Sequence, residues 1–333
     1  MKKLLSLMLT FSLCASSLLA FACTSPEKDK VNFKYYGTGT DIVKLFGETE
    51  TIGLIPEPAA TNLTKKIQGK GGNIYRLDLQ ELYDSETKAY PQAVLMIKKS
   101  VLGANPTLIS ELESKITQSV SWVKTSTSEA VTAIGEHGVT TLVASALSNE
   151  AIDGCKIYWQ SAEDSKASVK NYINSIVDID SEKASAVSDD FFYTTSQLVS
   201  DKKEYSFVMP DGAPAISVAK LLNDEDDLST GKKINYSVVA SDVIKANLVK
   251  GTADIILAPV NLASKLYKAH DTSDHYVMVS VITHGNFYIM STEKISINDL
   301  SGKQIAVPNM GAVPDWTLQM VLKKHGLDFN VVE

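Results

Sequence analysis

The chain has 333 residues, a length that suits about two domains, with 44% hydrophobic and 21% charged residues, an ordinary globular balance. Its formal net charge is -7, with 39 acidic against 32 basic residues, which argues against a nucleic-acid partner because such a binder must neutralise phosphates. Arg76 is the only arginine, so forked guanidinium clamps on carboxylate or phosphate are nearly excluded.

In chain order, the opening MKKLLSLMLTFSLCASSLLAFAC carries two lysines, an apolar run from Leu4 to Phe21 and small residues before Cys23. It predicts an export signal over 1–22, the alternative being a single membrane-spanning helix, although serines interrupt the run. The stretch Leu19-Ala20-Phe21-Ala22-Cys23 resembles a bacterial lipoprotein box, which implies lipidation of Cys23; plain secretion with cleavage after Ala22 is the rival. Residues 23–30 then form a polar tether, and the protein is expected at the extracytoplasmic side of the cell membrane, or secreted or periplasmic if not lipidated. Cys14 leaves with the signal and Cys155 stands alone, so no disulfide framework and no metal cluster is expected.

From Val31 short β-branched or aromatic runs alternate with amphipathic helical stretches, which predicts an α/β fold. VNFKYYG is a strand followed by the helical DIVKLF; TIGLIPEP is a strand and turn followed by AATNLTKKIQ. NIYRLDL and PQAVLMIKK are further strands. The long helix after Asn105-Pro106 repeats Leu108, Leu112, Ile116, Val120 and Val123 at intervals of three and four, so one face packs on a core. A second helical zone runs from about Ser126 to Ile179, interrupted near Gly154 by CKIYWQ, and the polar 181–204 segment is a connector. At Tyr205 the alternation restarts as if a protein were beginning: YSFVM, INYSVVA, ADIILAPV and YVMVSVITHGNFYIMS are strands with helices between them. DFNVVE heads into a strand that must find its neighbours elsewhere in the chain.

YSFVMPDGAPAISVAKLL, GTADIILAPVNLASKLY and SINDLSGKQIAVPNMGAVPDWTLQMVLKKHGLD together resemble the first half of ABC-importer substrate-binding proteins of the sulfonate, nitrate, taurine and thiamine-precursor type. TIGLIPEPAAT and YPQAVLMIKKSVLGANPTLISELESKITQSVSWV resemble the second half, so nearly the whole mature chain is covered with its halves exchanged. The resemblance implies a two-lobed, periplasmic-binding-protein-like type II fold, each lobe a mixed sheet flanked by helices, in circularly permuted order. A continuous first lobe would span 73–292, and the connector 194–204 would join ancestral termini within it. The second lobe would be built from 30–72 and 293–333, with crossings near Gly71–Leu77 and Met290–Lys294 about which the lobes close.

Strand-to-helix turns are where such a fold presents free backbone N–H groups to a ligand. Four turns are candidates: Asp211-Gly212-Ala213 before Pro214; Met310-Gly311-Ala312 with Trp316 a turn on; Gly37-Thr38-Gly39-Thr40, where Asp41 could cap the helix; and Thr283-His284-Gly285-Asn286 near a crossing. Glu57 either takes a ligand donor or stays solvated beside the hinge, and Asn261 is either a helix cap or a ligand contact. A lone histidine such as His284 is more often structural than catalytic, and nothing supports a metal or a cofactor.

The resemblance implies a non-enzymatic, extracytoplasmic solute-binding lipoprotein. It would deliver a small organic solute, a sulfonate, thiamine precursor or similar, to the permease and ATPase subunits of an ABC importer. Its competitors are an enzyme of cofactor biosynthesis on the same fold, for which no catalytic constellation is visible, and a rearranged chain that binds nothing.

Overall fold

The computed structural model describes residues 29–225, 228–270 and 273–332. The expected export signal, Cys23 and the tether up to residue 28 lie outside the described residues, as does Glu333. The strands among them are β1 Val31–Tyr36, β2 Ile52–Pro56, β3 Tyr75–Asp78, β4 Ala93–Lys98, β5 Ile157–Ser161 and β6 Glu204–Pro210. They continue as β7 Lys233–Val239, β8 Ile255–Pro259, β9 Tyr276–Thr283, β10 Phe287–Ser291, β11 Gln304–Pro308 and β12 Phe329–Val332.

These strands form two six-stranded sheets, and each is the floor of one lobe. One has the order β12-β1-β11-β2-β10-β3, the other β5-β9-β4-β8-β6-β7. Both are mixed: β1 runs parallel to β11 and β12, whereas β10 runs antiparallel to β2 and β3. In the other sheet β6 is parallel to β7 and β8, and β4 is antiparallel to β8 and β9. The architecture is therefore α/β with two mixed sheets flanked by helices. The central strands β4 and β9 are buried along their whole length, which is why AVLMIK and YVMVSVIT read as mostly apolar or β-branched runs, with only Lys98 at the end of one and Ser280 within the other, rather than as alternations.

The strand at the C-terminal end, β12, lies beside β1 with Val31 opposite Phe329, and Phe329 stacks on Phe33 at 5.3 Å. Tyr193 and Tyr205 both belong to the other lobe: the Tyr193 N–H donates to the Met278 carbonyl at 2.9 Å, and Tyr205, the second residue of β6, lies in the core cluster against which Tyr193 packs.

The expected lobe boundaries need correcting. β3 and β10 belong to the sheet built from the chain ends, not to the continuous lobe, because their side chains complete the cores on both faces of that sheet. Phe287 and Ile289 pack with Leu54 and Leu79 on one face, and Tyr288 and Met290 pack with Ile42 and Ile55 on the other. The chain therefore crosses between lobes at 79–92 and at 284–286, rather than near Gly71–Leu77 and Met290–Lys294. The two crossings run side by side: Tyr90 N–H donates to the His284 carbonyl at 3.2 Å and Gln92 N–H to that of Thr283 at 2.9 Å.

The long helix runs Leu108–Val123 and buries Leu108, Leu112, Ile116 and Val123, as its spacing requires. The expected second helical zone is broken more than once. Helices Thr127–Glu136 and Asn149–Gly154 are separated by a loop over 137–148 that holds only one short 3-10 turn. The 194–204 connector lies against the first lobe: Ser200 N–H donates to the Ser100 carbonyl at 3.0 Å, and a Cβ on Gly103 would stand 1.9 Å from the Leu198 carbonyl oxygen.

Candidate functional site

A cavity of about 300 Å³ lies between the lobes. One wall comes from the lobe of the chain ends: Thr40 and Val43 of the helix Gly39–Leu45, and Pro56 to Ala59 with Asn62 at the start of the helix Ala59–Gln68. The facing wall is the loop after Gly138, through Thr141, Leu142, Val143 and Ala146, together with Gly212. The lining is mostly apolar with a few polar groups at its edge, the usual composition of a small-molecule site.

Glu57 anchors the first wall. It is 2% exposed, so the solvated alternative fails. Its carboxylate accepts from the Thr61 N–H at 2.9 Å and from the Thr61 hydroxyl at 2.7 Å, and pairs with Arg76 Nη2 at 2.7 Å. The single arginine, lying 3.7 Å over the Tyr288 ring, thus serves this internal pair. Behind Glu57 the two lobes touch closely. A Cβ on Gly154 of the facing lobe would stand 2.8 Å from Glu57 Cγ, so only glycine fits there.

The four candidate turns are not brought to one place. In the first, Gly212 lines the cavity at a φ of 89°, while the Asp211 carboxylate accepts from the Thr140 hydroxyl at 2.8 Å and from the Thr141 N–H at 2.7 Å. Asp211 therefore holds the 137–148 loop in place, and Ala213 is buried in the core beneath. In the third, Thr40 lines the cavity and Gly37 is exposed. The helix is capped by Thr38, whose Oγ1 accepts from the Asp41 N–H at 3.2 Å, rather than by Asp41. Gly39 is buried where a Cβ would stand 2.6 Å from Pro56 Cδ.

The second turn lies on another flank. Met310, 54% exposed, and Gly311 line a wider groove of about 990 Å³ between Trp316 and the 177–183 segment of the other lobe. Within the turn, the Gly311 N–H donates to Asp315 Oδ2 at 2.8 Å, and the Trp316 indole donates to the Gly311 carbonyl at 2.9 Å. Burial raises the Asp315 carboxyl above its ordinary range. Ala312 precedes the helix Val313–Lys324, whose Thr317 meets Tyr172 of the other lobe at 2.5 Å between hydroxyls.

The fourth turn is a crossing and does not line the cavity. Thr283 Oγ1 accepts from the Ala93 N–H at 3.0 Å, and Asn286 Nδ2 donates to the Glu57 carbonyl at 3.0 Å. His284 stacks on Tyr158 at 3.5 Å with its ring nitrogens near the Lys156 carbonyl and the Gln160 side chain; burial pushes its pKa down to about 3, so it is neutral at physiological pH. Gly285 has a φ of 82°, and a Cβ there would stand 2.5 Å from Tyr90 Cε1. Asn261 is neither an N-cap nor a cavity residue: Val260 precedes it in the helix, and its Nδ2 donates to the Lys183 carbonyl at 3.3 Å.

Compared with known proteins, the chain has no significant match among family models, curated proteins or solved structures. The site's chemistry is therefore read from its own residues. Among the described residues no group of histidine, cysteine, aspartate and glutamate side chains is placed to hold a metal. Cys155 is fully buried, and burial with the nearby Glu57 charge pushes its thiol up, away from nucleophilic thiolate chemistry.

Sequence reasoning missed the cavity wall at Thr141 to Ala146. The signal was present as the run Val139-Thr140-Thr141-Leu142-Val143 after Gly138, because consecutive β-branched residues following glycine disfavour the helix assigned there.

Proposed function

We propose that this chain is an extracytoplasmic solute-binding protein that captures a small organic solute between its lobes. It hands the solute to the permease and ATPase subunits of an ABC importer. The observation that carries the reading is the cavity of about 300 Å³ walled by different lobes, which are joined by two adjacent crossings. Such a connection lets the lobes rotate about the crossings and close on a ligand. In this reading the chain performs no reaction and needs no cofactor. Lipidation at Cys23 keeps it at the outer face of the membrane beside its transporter.

The same reading takes the fold as the type II binding-protein arrangement in permuted order. Its support is that β1 and β12 from opposite ends of the chain share one sheet, while Tyr193 and Tyr205, on either side of the polar connector, share the other lobe.

The test is native mass spectrometry of residues 24–333 purified without refolding, with a thermal-shift screen over small organic solutes. A co-purifying small molecule, or a solute that raises the melting temperature in a concentration-dependent way, is the expected result. A folded protein that carries no mass and responds to no solute overturns the reading. The lipid anchor is tested separately by expressing Cys23→Ser, which should move the protein from the membrane to the soluble fraction.

A further inference from the structure

We propose that the cavity between the lobes takes an uncharged, mainly apolar solute of about ten to fifteen non-hydrogen atoms. The inference rests on the solute-binding reading and adds the chemical class of the ligand. The size follows from the volume: about 300 Å³ is the liquid volume of roughly ten water molecules.

The class follows from what the charged groups at the walls already do. Glu57 accepts from Thr61 and is paired with Arg76, the only arginine in the chain. Asp211 accepts from Thr140 and Thr141 of the facing loop. Lys44, on the helix that carries Thr40 and Val43, points to Asp41 at 3.3 Å. The start of the helix Ala59–Gln68 would ordinarily favour an anion, yet the Glu57 carboxylate already sits on its Thr61 N–H, so a second negative charge there meets repulsion.

Most of the remaining surface is apolar, chiefly Val43, Pro56, Pro58, Ala59, Leu142 and Val143. An ionised ligand entering this space loses its hydration without gaining a partner, the costliest way to bury a charge. A neutral ligand keeps the apolar contact, and Thr40 and Asn62 at the exposed edge supply hydrogen bonds for one or two polar groups.

The experiment uses three probes of one shape that differ in charge: 4-methylbenzamide, 4-methylbenzoate and 4-methylbenzamidinium. Their dissociation constants are measured by calorimetry on residues 24–333 at low and high salt. Val143 is 52% exposed and lines the cavity, so Val143→Trp fills the space and Val143→Lys adds a cation with little effect on folding.

The amide is expected to bind at least tenfold tighter than either ion and independently of salt. Val143→Trp should abolish that binding, and Val143→Lys should narrow the gap to the benzoate. If an ion binds as tightly as the amide and Val143→Trp removes it, the uncharged class is wrong while solute binding in this cavity stands. Amide binding that survives Val143→Trp places the ligand elsewhere and overturns the inference. If no probe binds and the purified protein carries no mass, the inference and the solute-binding reading fall together.

Discussion

Glu57 is a carboxylate with a 0% exposed side chain, and it is tolerable there only because Arg76 and Thr61 compensate for its lost hydration. Removing one partner leaves a buried charge. Arg76→Met is therefore expected to destabilise the protein by about 3 kcal/mol or more in denaturant titrations. Adding Glu57→Gln should return a large part of that loss, since the change removes the stranded charge; a double variant no better than Arg76→Met alone would refute the pairing. His284 carries the second expectation at this level. Free histidine titrates near 6.5, whereas burial pushes this one down to about 3. Between those values the unfolded chain binds a proton that the folded chain does not, so stability falls as pH drops through that window, by at most about 1.4 kcal/mol per pH unit. The difference between the wild type and His284→Gln, measured from pH 7 to pH 5, should show that slope, with the parent losing more stability on acidification. A constant difference across that range would mean that His284 titrates normally.

The loop over 137–148 walls the cavity, and the helix Asn149–Gly154 that follows it meets the opposite lobe where Gly154 packs on Glu57. Glu57 cannot swing aside because Thr61 and Arg76 hold it. A methyl group on Gly154 would therefore push the lobes apart rather than displace the side chain. Gly154→Ala is expected to weaken solute binding by about tenfold or more, the scale of overpacking a close contact, and to enlarge the radius of gyration of the liganded protein in small-angle scattering. Unchanged affinity and dimensions would mean that the lobes do not need this contact to close. Part of the element order was legible because its cause is local: the helix Leu108–Val123 follows from apolar spacing, and β1, β2, β6 and β8 follow from β-branched runs ended by glycine, proline or polar residues. The 137–148 loop was harder to place, because Ala130 to Ile134 set up a helical period that outweighed the local signal of Gly138 and the β-branched run after it.

Across the two lobes, the order of the halves is open to direct test. Because β12 lies parallel to β1, joining residue 333 to Val31 needs a connection long enough to run back along the strand, about a dozen residues. A protein that opens within 194–204 and carries such a linker should be monomeric. It should have the same far-ultraviolet circular dichroism and a single cooperative unfolding transition. If it stays unfolded or aggregates while the parent folds, the permuted order loses its support. Residues 194–203 of the connector dock on Ser100 and Gly103 but join no strand ladder, which makes them the place to open the chain with least cost.

What composition and period settled are properties carried by short stretches: an α/β alternation, a break at 181–204, a restart at Tyr205, and turns at Gly212, Thr40 and Gly311. Each depends on interactions within a few residues, so the chain displays them without its fold. Which lobe owns β3 and β10, and hence where the crossings lie, was decided only by packing, because their local patterns suit either sheet and the choice rests on distant partners such as Leu54 and Ile42. The same holds for the site. Four turns of equal promise in the sequence were separated by tertiary placement into cavity wall, outer groove and crossing, and Glu57 and Arg76, 19 residues apart, became one internal pair. Burial brought them together, and burial is a property of the fold as a whole.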